Sequence, residues 1–171
     1  MAHSAIASGT SSHHDGHGGP TSPRALHPLL ERARAQAASA GLPHAGGVTP
    51  AEAWELVSAG EAVLVDVRSG EERKFVGHVP DSVFVPWATG TALTRNPRFV
   101  RDLENKVGKD ATVLLLCRSG KRSAAAAEAA AKAGFRNVFN VLEGFEGDLD
   151  SQQRRGAFNG WRHAGLPWIQ D

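Results

Sequence analysis

The sequence predicts an α/β domain with a mainly parallel central sheet. Three short apolar runs, at 62–67, 112–116 and 138–141, alternate along the chain with segments of helical pattern. A strand of a parallel sheet is apolar at every position, because helices cover both faces of the sheet and bury all its side chains. Helices and strands that alternate along a chain are typical of this fold class.

Composition divides the chain into three parts. Residues 1–23 are rich in Ser, His and Gly and hold almost no side chains that a core could bury, so we expect a disordered tail. Residues 24–45 are expected to form a short N-terminal helix and a linker, because the leucines there have helical spacing and Gly41 ends the pattern. The folded domain is expected over residues 46–171.

Two capping boxes mark the first helices of that domain. Thr49 and Glu52 flank Pro50, which suits the first position of a helix, and Ser69 with Glu72 repeats the same spacing after the first apolar run. In a capping box, the side chains of the first and fourth residues each bind a backbone amide that the helix leaves unpaired. We therefore predict one helix before the first apolar run and a short one after it.

The later elements follow the same alternation. Residues 83–85 are predicted to form a second brief strand, and the Asn96-Pro97 pair opens a helix that carries apolar side chains on one side. An alanine-rich stretch at 122–133 predicts a further helix, which Gly134 ends. The second and third apolar runs are the strands on either side of that helix.

Charge, length and cysteine count exclude several classes of protein. The 171 residues suit one domain, and 19 basic against 18 acidic side chains leave a net charge of +1, which argues against binding to nucleic acid or a membrane surface. No segment approaches the roughly 20 apolar residues of a membrane span, so we expect a soluble, cytoplasmic chain. The single cysteine, Cys117, excludes an internal disulfide and a multi-cysteine metal site, and we expect no cofactor.

Cys117 stands where open α/β sheets bind ligands, directly after the strand predicted at 112–116 and directly before a helix. Residues 118–122 are short, flexible or cationic, so successive backbone amides can converge on one anion while Arg and Lys side chains surround it. A thiol at the amino end of a helix and beside such cations readily forms the nucleophilic thiolate. A cysteine that only fills the core would not need this loop, so we predict a reactive thiol.

The segment Cys117–Ser123, CRSGKRS, resembles the active-site loop of the rhodanese sulfurtransferases. The motifs DVR at 66–68, GHVP at 77–80 and VLEGF at 141–145, together with a late tryptophan, resemble the other signatures of that family. The resemblance covers roughly 48–168. It implies a three-layer fold in which helices flank a central, mainly parallel sheet of about five strands.

The resemblance implies sulfur transfer in two steps. Cys117 attacks the outer sulfur of thiosulfate or a similar small donor, and a thiol, a cyanide-like acceptor or a protein then takes the sulfur from the resulting persulfide. Substrate binding falls to the rest of the loop, namely Arg118, Ser119, Gly120, Lys121, Arg122 and Ser123. Among these, Arg122 is the leading candidate to bind the charged donor, because a guanidinium offers planar bidentate contacts.

Two features outside the loop complete this interpretation. Asp66 and Arg68 end the first predicted strand, where we expect an ion pair that supports the neighbouring loop without taking part in bond making. A stretch longer than the family usually has, 146–160, separates the turn at 143–145 from the late tryptophan. We expect this insertion to form a polar excursion near the rim of the pocket.

Two other functions remain open from the sequence. Cysteine-dependent phosphatases also place a thiolate before an anion-binding loop and a helix, but their loops have one more residue between Cys and Arg than the four that separate Cys117 from Arg122. The other alternative is a catalytically silent rhodanese-like module for interaction or sulfur carriage, and such modules usually lack the cysteine. The tighter loop and the cysteine favour sulfur transfer.

Overall fold

Five parallel strands form the central sheet in the computed structural model, which describes residues 25–171. The strands in chain order are β1 (Gly47–Val48), β2 (Val63–Asp66), β3 (Val83–Phe84), β4 (Ala88–Thr89), β5 (Thr94–Arg95), β6 (Val113–Leu116) and β7 (Val138–Val141). β4 and β5 pair as a separate antiparallel hairpin, and the others lie in the order β1-β7-β6-β2-β3. The predicted α/β fold with a five-stranded parallel sheet is confirmed.

Helices cover both faces of this sheet. Between residues 25 and 171 they are α1 (Pro28–Ala40), α2 (Pro50–Ser58), α3 (Gly70–Val76), α4 (Phe99–Val107) and α5 (Lys121–Lys132). Alternate residues of β6 enter opposite core clusters, one with α4 and α5 and the other with α1 and α2. All four residues of β6 are therefore buried, as its apolar run predicts. Among the described residues, no helix has both the length and the apolar character needed to cross a membrane.

Both predicted capping boxes are present. The Thr49 side chain accepts from the amide of Glu52, and the Glu52 carboxylate accepts from the amide of Thr49. Ser69 and Glu72 make the same reciprocal contacts at the start of α3. Each box satisfies backbone donors that the first turn would otherwise leave unpaired, which is why the helices begin where the sequence predicts.

Two parts of the fold differ from the sequence analysis. β1 and the β4–β5 hairpin consist of strands of two residues each, which are too short for a hydrophobic period to show. The sequence sets α1 apart in a region of helix and linker at 24–45, whereas Leu30 and Ala33 of α1 are buried in the same core cluster as Val48 of β1. The tail expected over 1–23 lies outside the described residues.

Candidate active site

The loop that carries Cys117 lies at the carboxyl edge of the sheet, in its middle. Residues 117–120 join β6 to α5, and the neighbouring strands β2 and β7 run parallel to β6, so their last residues lie at the same edge. The fold thus places the predicted reactive thiol where parallel sheets bind ligands.

Two polar groups contact the sulfur of Cys117. The amide of Gly120 lies 3.1 Å from Sγ, and the hydroxyl of Ser123 also lies 3.1 Å from it. Cys117 is only 1% exposed, so the sulfur has little contact with water. These two contacts hold the sulfur in one position at the amino end of α5.

The backbone conformation of this loop requires Gly120. Its φ of 96° lies in the left-handed region, which residues with a side chain rarely adopt. Gly120 is the N-cap of α5, and its amide donates to Sγ. The helix therefore begins at Lys121, one residue before the predicted start. The first amides of a helix have no acceptor inside the helix, and in α5 these belong to Lys121, Arg122 and Ser123.

Asn140 of β7 is a site residue that the sequence analysis did not select. Its Oδ1 lies 2.5 Å from the Ser123 hydroxyl, and its Nδ2 donates to the Gly120 carbonyl at 3.2 Å. Ser123 has a single hydroxyl proton and donates it either to Asn140 or to Cys117. The available signal was a lone polar residue in the apolar run at 138–141, since a buried amide needs partners.

Arg122 is bound to Glu72 of α3. Its Nη1 and Nη2 donate to the two carboxylate oxygens at 2.7 and 2.8 Å. Burial of Glu72 by itself opposes ionisation, but the hydrogen bonds and charge of Arg122, together with the hydrogen bonds from Ser69, outweigh it, so the pKa of Glu72 lies below its ordinary value. The sequence analysis assigns the Arg122 guanidinium to the sulfur donor. In the fold this guanidinium is already paired with the Glu72 carboxylate, because Glu72 faces the first turn of α5.

Replacing Glu72 by glutamine is expected to lower the free energy of unfolding by about 1.5 to 3 kcal/mol at neutral pH, the range for hydrogen bonds to charged groups. Because the pKa of Glu72 is lower in the folded chain than in the unfolded chain, this stabilisation is complete above the ordinary glutamate pKa. The stabilisation is lost as the pH falls from the ordinary glutamate pKa through the lower pKa that Glu72 has in the folded chain. Urea unfolding of both proteins over this pH range measures the difference.

Glu71→Gln is the matched control for this measurement. Glu71 precedes Glu72 in the same first turn of α3 but is exposed. We expect only a small change in stability from it, because an exposed carboxylate in the first turn of a helix contributes little. The same loss in both variants would show that the Arg122 contact does not stabilise the fold.

Arg118 and Lys121 are the loop cations that have no carboxylate partner among residues 25–171. Within residues 25–171, neither side chain forms a salt bridge. The Nε of Arg118 is buried without a hydrogen-bond partner in this part of the chain, and Lys121 is exposed. Ser119 lies half-buried between them. The unpaired positive charge of the loop thus comes from Arg118 and Lys121.

Asp66 and Arg68 form a buried ion pair at the end of β2. Arg68 Nη2 lies 2.8 Å from Asp66 Oδ2, and both side chains are 0% exposed. Arg73 contacts the same carboxylate at 3.0 Å, and Arg68 also donates to the Gly77 carbonyl at 2.7 Å. The Arg68 guanidinium lies 4.2 Å from the centre of the Phe145 ring. The pair thereby joins β2 to the turn at Gly77 and to Phe145.

A comparison with protein families bears on this arrangement of strand, cysteine loop and helix. Residues 49–150 match the model of the Rhodanese-like domain family, which is more than half of the chain. The chain belongs to the rhodanese-like domain family.

Similar proteins come from several bacteria. The crystal structure of Rv0390 from M. tuberculosis is 47% identical in sequence, covers 73% of this rhodanese-like chain and 97% of its own, and superposes with a TM-score of 0.66. An uncharacterized protein of Rickettsia conorii is 34% identical over 118 residues, which are 66% of this chain and 87% of that protein. Thiosulfate sulfurtransferase GlpE of Actinobacillus succinogenes is 28% identical over 120 residues, or 70% and 86% of the two chains.

The two ends of the insertion at 146–160 lie close together in the rhodanese-like domain. Gly147 and Gly160 meet there, and a Cβ on Gly160 would lie 2.6 Å from the Gly147 nitrogen. The amides of Glu146 and Gly147 donate to the carbonyl of Arg118 at 3.0 and 3.2 Å. The insertion therefore begins in direct contact with the cysteine loop.

The body of the insertion exposes polar side chains, as the sequence analysis expects, and two large apolar ones beside them. Leu149 is 50% exposed and Phe158 is 62% exposed. The charged and amide side chains there are used in part for local turns, as when Asp150 accepts from the amides of Gln152 and Arg154.

Proposed function

We propose that this chain is a sulfurtransferase that carries a sulfane sulfur as a persulfide on Cys117. The observation that carries the proposal is the position of the Cys117 sulfur at the amino end of α5, where the Gly120 amide donates to Sγ at 3.1 Å. Family membership and the thiosulfate sulfurtransferase among the relatives support the same reaction.

In the first step, the Cys117 thiolate attacks the outer sulfur of thiosulfate or of a donor of the same kind. A bond forms between Sγ and that sulfur, and the bond between the two donor sulfurs breaks. Its electron pair leaves with sulfite, so the terminal atom of the persulfide carries the negative charge that the thiolate brought. No proton moves in this step, which explains why the loop needs no general base beside Cys117.

The loop supplies two kinds of stabilisation for this step. Backbone amides at the amino end of α5 stabilise the terminal sulfur anion, because they are fixed before the reaction begins. Arg118 and Lys121 bind the oxygens of the donor and of the departing sulfite. Arg122 fixes α5 against α3 through Glu72, so we assign it a positioning role rather than the leading contact with the donor.

In the second step, a thiophilic acceptor attacks the terminal sulfur and restores the Cys117 thiolate. Cyanide leaves as thiocyanate, and a small thiol or a protein thiolate leaves as a persulfide. The cytoplasm suits this cycle because thiols remain reduced there.

Intact mass spectrometry after incubation with thiosulfate tests the proposal. We expect the reduced protein to gain the mass of one sulfur atom, and we expect cyanide to remove that mass and release thiocyanate. Cys117→Ser should show neither change, because its hydroxyl is a poor nucleophile towards sulfur.

Accessibility of the thiol is the control for this experiment. Alkylation of the same preparation by iodoacetamide shows that Cys117 is reduced and can be reached. A protein that is alkylated but takes no sulfur from thiosulfate would support the silent interaction module instead.

A further inference from the structure

The side-chain amide of Asn140 has a fixed orientation beside the cysteine loop. A backbone carbonyl only accepts hydrogen bonds, so the atom of Asn140 that lies 3.2 Å from the Gly120 carbonyl oxygen is the amide nitrogen, Nδ2. The other end of the amide, Oδ1, therefore faces the Ser123 hydroxyl at 2.5 Å. Ser123 thus meets an atom of Asn140 that can accept a proton but has none to donate.

The distances around the Ser123 oxygen indicate where its proton lies. Two oxygens 2.5 Å apart attract each other only with a proton between them, and here Ser123 must supply it. The Sγ of Cys117 lies farther away, at 3.1 Å, and a thiol can itself be the donor. Ser123 is 0% exposed and Asn140 is 5% exposed, so bulk water has little access to either group.

We propose that Asn140 is a positioning residue that holds the Ser123 proton, so that the Ser123 oxygen accepts a hydrogen bond from the Cys117 thiol. A hydrogen bond to the neutral form of an acid disfavours its ionisation. When Cys117 ionises, its thiolate and Asn140 compete for the single hydroxyl proton of Ser123. Asn140 therefore lowers the fraction of Cys117 that is present as thiolate.

The consequence for sulfur transfer rests on the proposed function. In the persulfide the negative charge lies on the terminal sulfur, so the Ser123 proton stays with Asn140. When the acceptor attacks the terminal sulfur, the bond between the two sulfurs breaks and its electron pair returns to Sγ of Cys117. The Ser123 proton can then turn to the departing thiolate. Asn140 thus holds this proton away from Sγ until charge develops there.

A double-mutant cycle of Asn140→Leu and Ser123→Ala in the full chain tests the proposal. Alkylation of Cys117 by iodoacetamide is measured at pH values where the rate still rises with pH, because the rate there reports the thiolate fraction. We expect Asn140→Leu to raise the rate about fivefold more in the chain with Ser123 than in the Ser123→Ala chain, the effect of one hydrogen bond. An equal effect in both chains would overturn the proposal, since a purely structural role of Asn140 does not need the Ser123 hydroxyl.

Asn137→Leu is the matched control for Asn140→Leu. Asn137 directly precedes β7, at the edge of the sheet opposite to Cys117, and its side chain contacts Arg34 of α1. Because this site shares no partner with Cys117, we expect the alkylation rate to change by less than about twofold.

The charged groups near the thiol are the same in all four chains of the cycle. They lie in the loop, in α5, in α3, at the end of β2 and in the turn after β7, and they are Arg118, Lys121, Arg122, Glu72, Asp66 and Glu143. Their effect on the ionisation of Cys117 therefore cancels when the two effects of Asn140→Leu are compared.

Infrared spectroscopy of the thiol decides the matter if Asn140→Leu does not fold. Cys117 is the single cysteine of the chain, so the S–H stretching band reports on this thiol alone. We expect the band at a lower frequency in the wild type than in Ser123→Ala, because donating a hydrogen bond weakens the S–H bond. The same frequency in both proteins would show that the thiol does not donate to Ser123, and the proposal would fail. Neither measurement uses a sulfur donor, so this failure is distinct from a failure of sulfur transfer from thiosulfate.

Discussion

Replacing Asp66 by asparagine is expected to lower the free energy of unfolding by about 3 to 5 kcal/mol, the usual effect of breaking a buried ion pair. The Asp66 carboxylate lies 2.8 Å from Arg68 and 3.0 Å from Arg73, and neither Asp66 nor Arg68 is exposed. Asparagine keeps the size and shape of the side chain but leaves the charge of Arg68 buried without its counterion. Urea unfolding at neutral pH measures the loss.

Glu52→Gln makes the same chemical change at the surface and serves as the control. Glu52 pairs with Arg32, whose side chain is 56% exposed, and glutamine still fits the capping box of α2. Exposed pairs contribute at most about 1 kcal/mol. If Asp66→Asn lost no more stability than this control, the buried pair would not stabilise the fold more than an exposed pair does.

A glycine inserted after Ser119 is expected to slow sulfur transfer from thiosulfate by about a hundredfold, because a shift of about 1 Å in a reacting group has this effect. Cys117 lies at the end of β6, and Ser123 is held in α5 by Asn140 at 2.5 Å, so the extra residue must widen the loop between them. The Gly120 amide would then leave Sγ, which it now reaches at 3.1 Å.

A glycine inserted between Gln152 and Gln153 is the matched control, since both residues are exposed in the insertion. We expect the rate with thiosulfate to change by less than about twofold, as surface loops tolerate added residues. Both variants and the wild type are also assayed with an aryl phosphate. Hydrolysis by the wild type at a rate comparable to sulfur transfer, and its loss in Cys117→Ser, would favour the cysteine-phosphatase alternative.

Local signals predicted most of the fold. The capping boxes at Thr49 and Ser69 begin helices where expected, and the apolar run at 138–141 is a strand with the predicted bounds. Each signal acts between residues a few positions apart, so it can be recognised before any tertiary contact is known. The position of Cys117 was predictable for the same reason, because a strand, a short loop and a helix follow one another directly in the chain.

The partners of the loop residues depend instead on the order of the strands. Arg122 meets Glu72, and Ser123 meets Asn140, because β6 lies between β2 and β7 in the sheet. A strand's hydrophobic pattern shows that it is buried but does not specify its neighbours, which follow from how the whole chain packs. The role we propose for Arg122 therefore differs from the one that its type and position suggest, because only the folded sheet brings Glu72 to it.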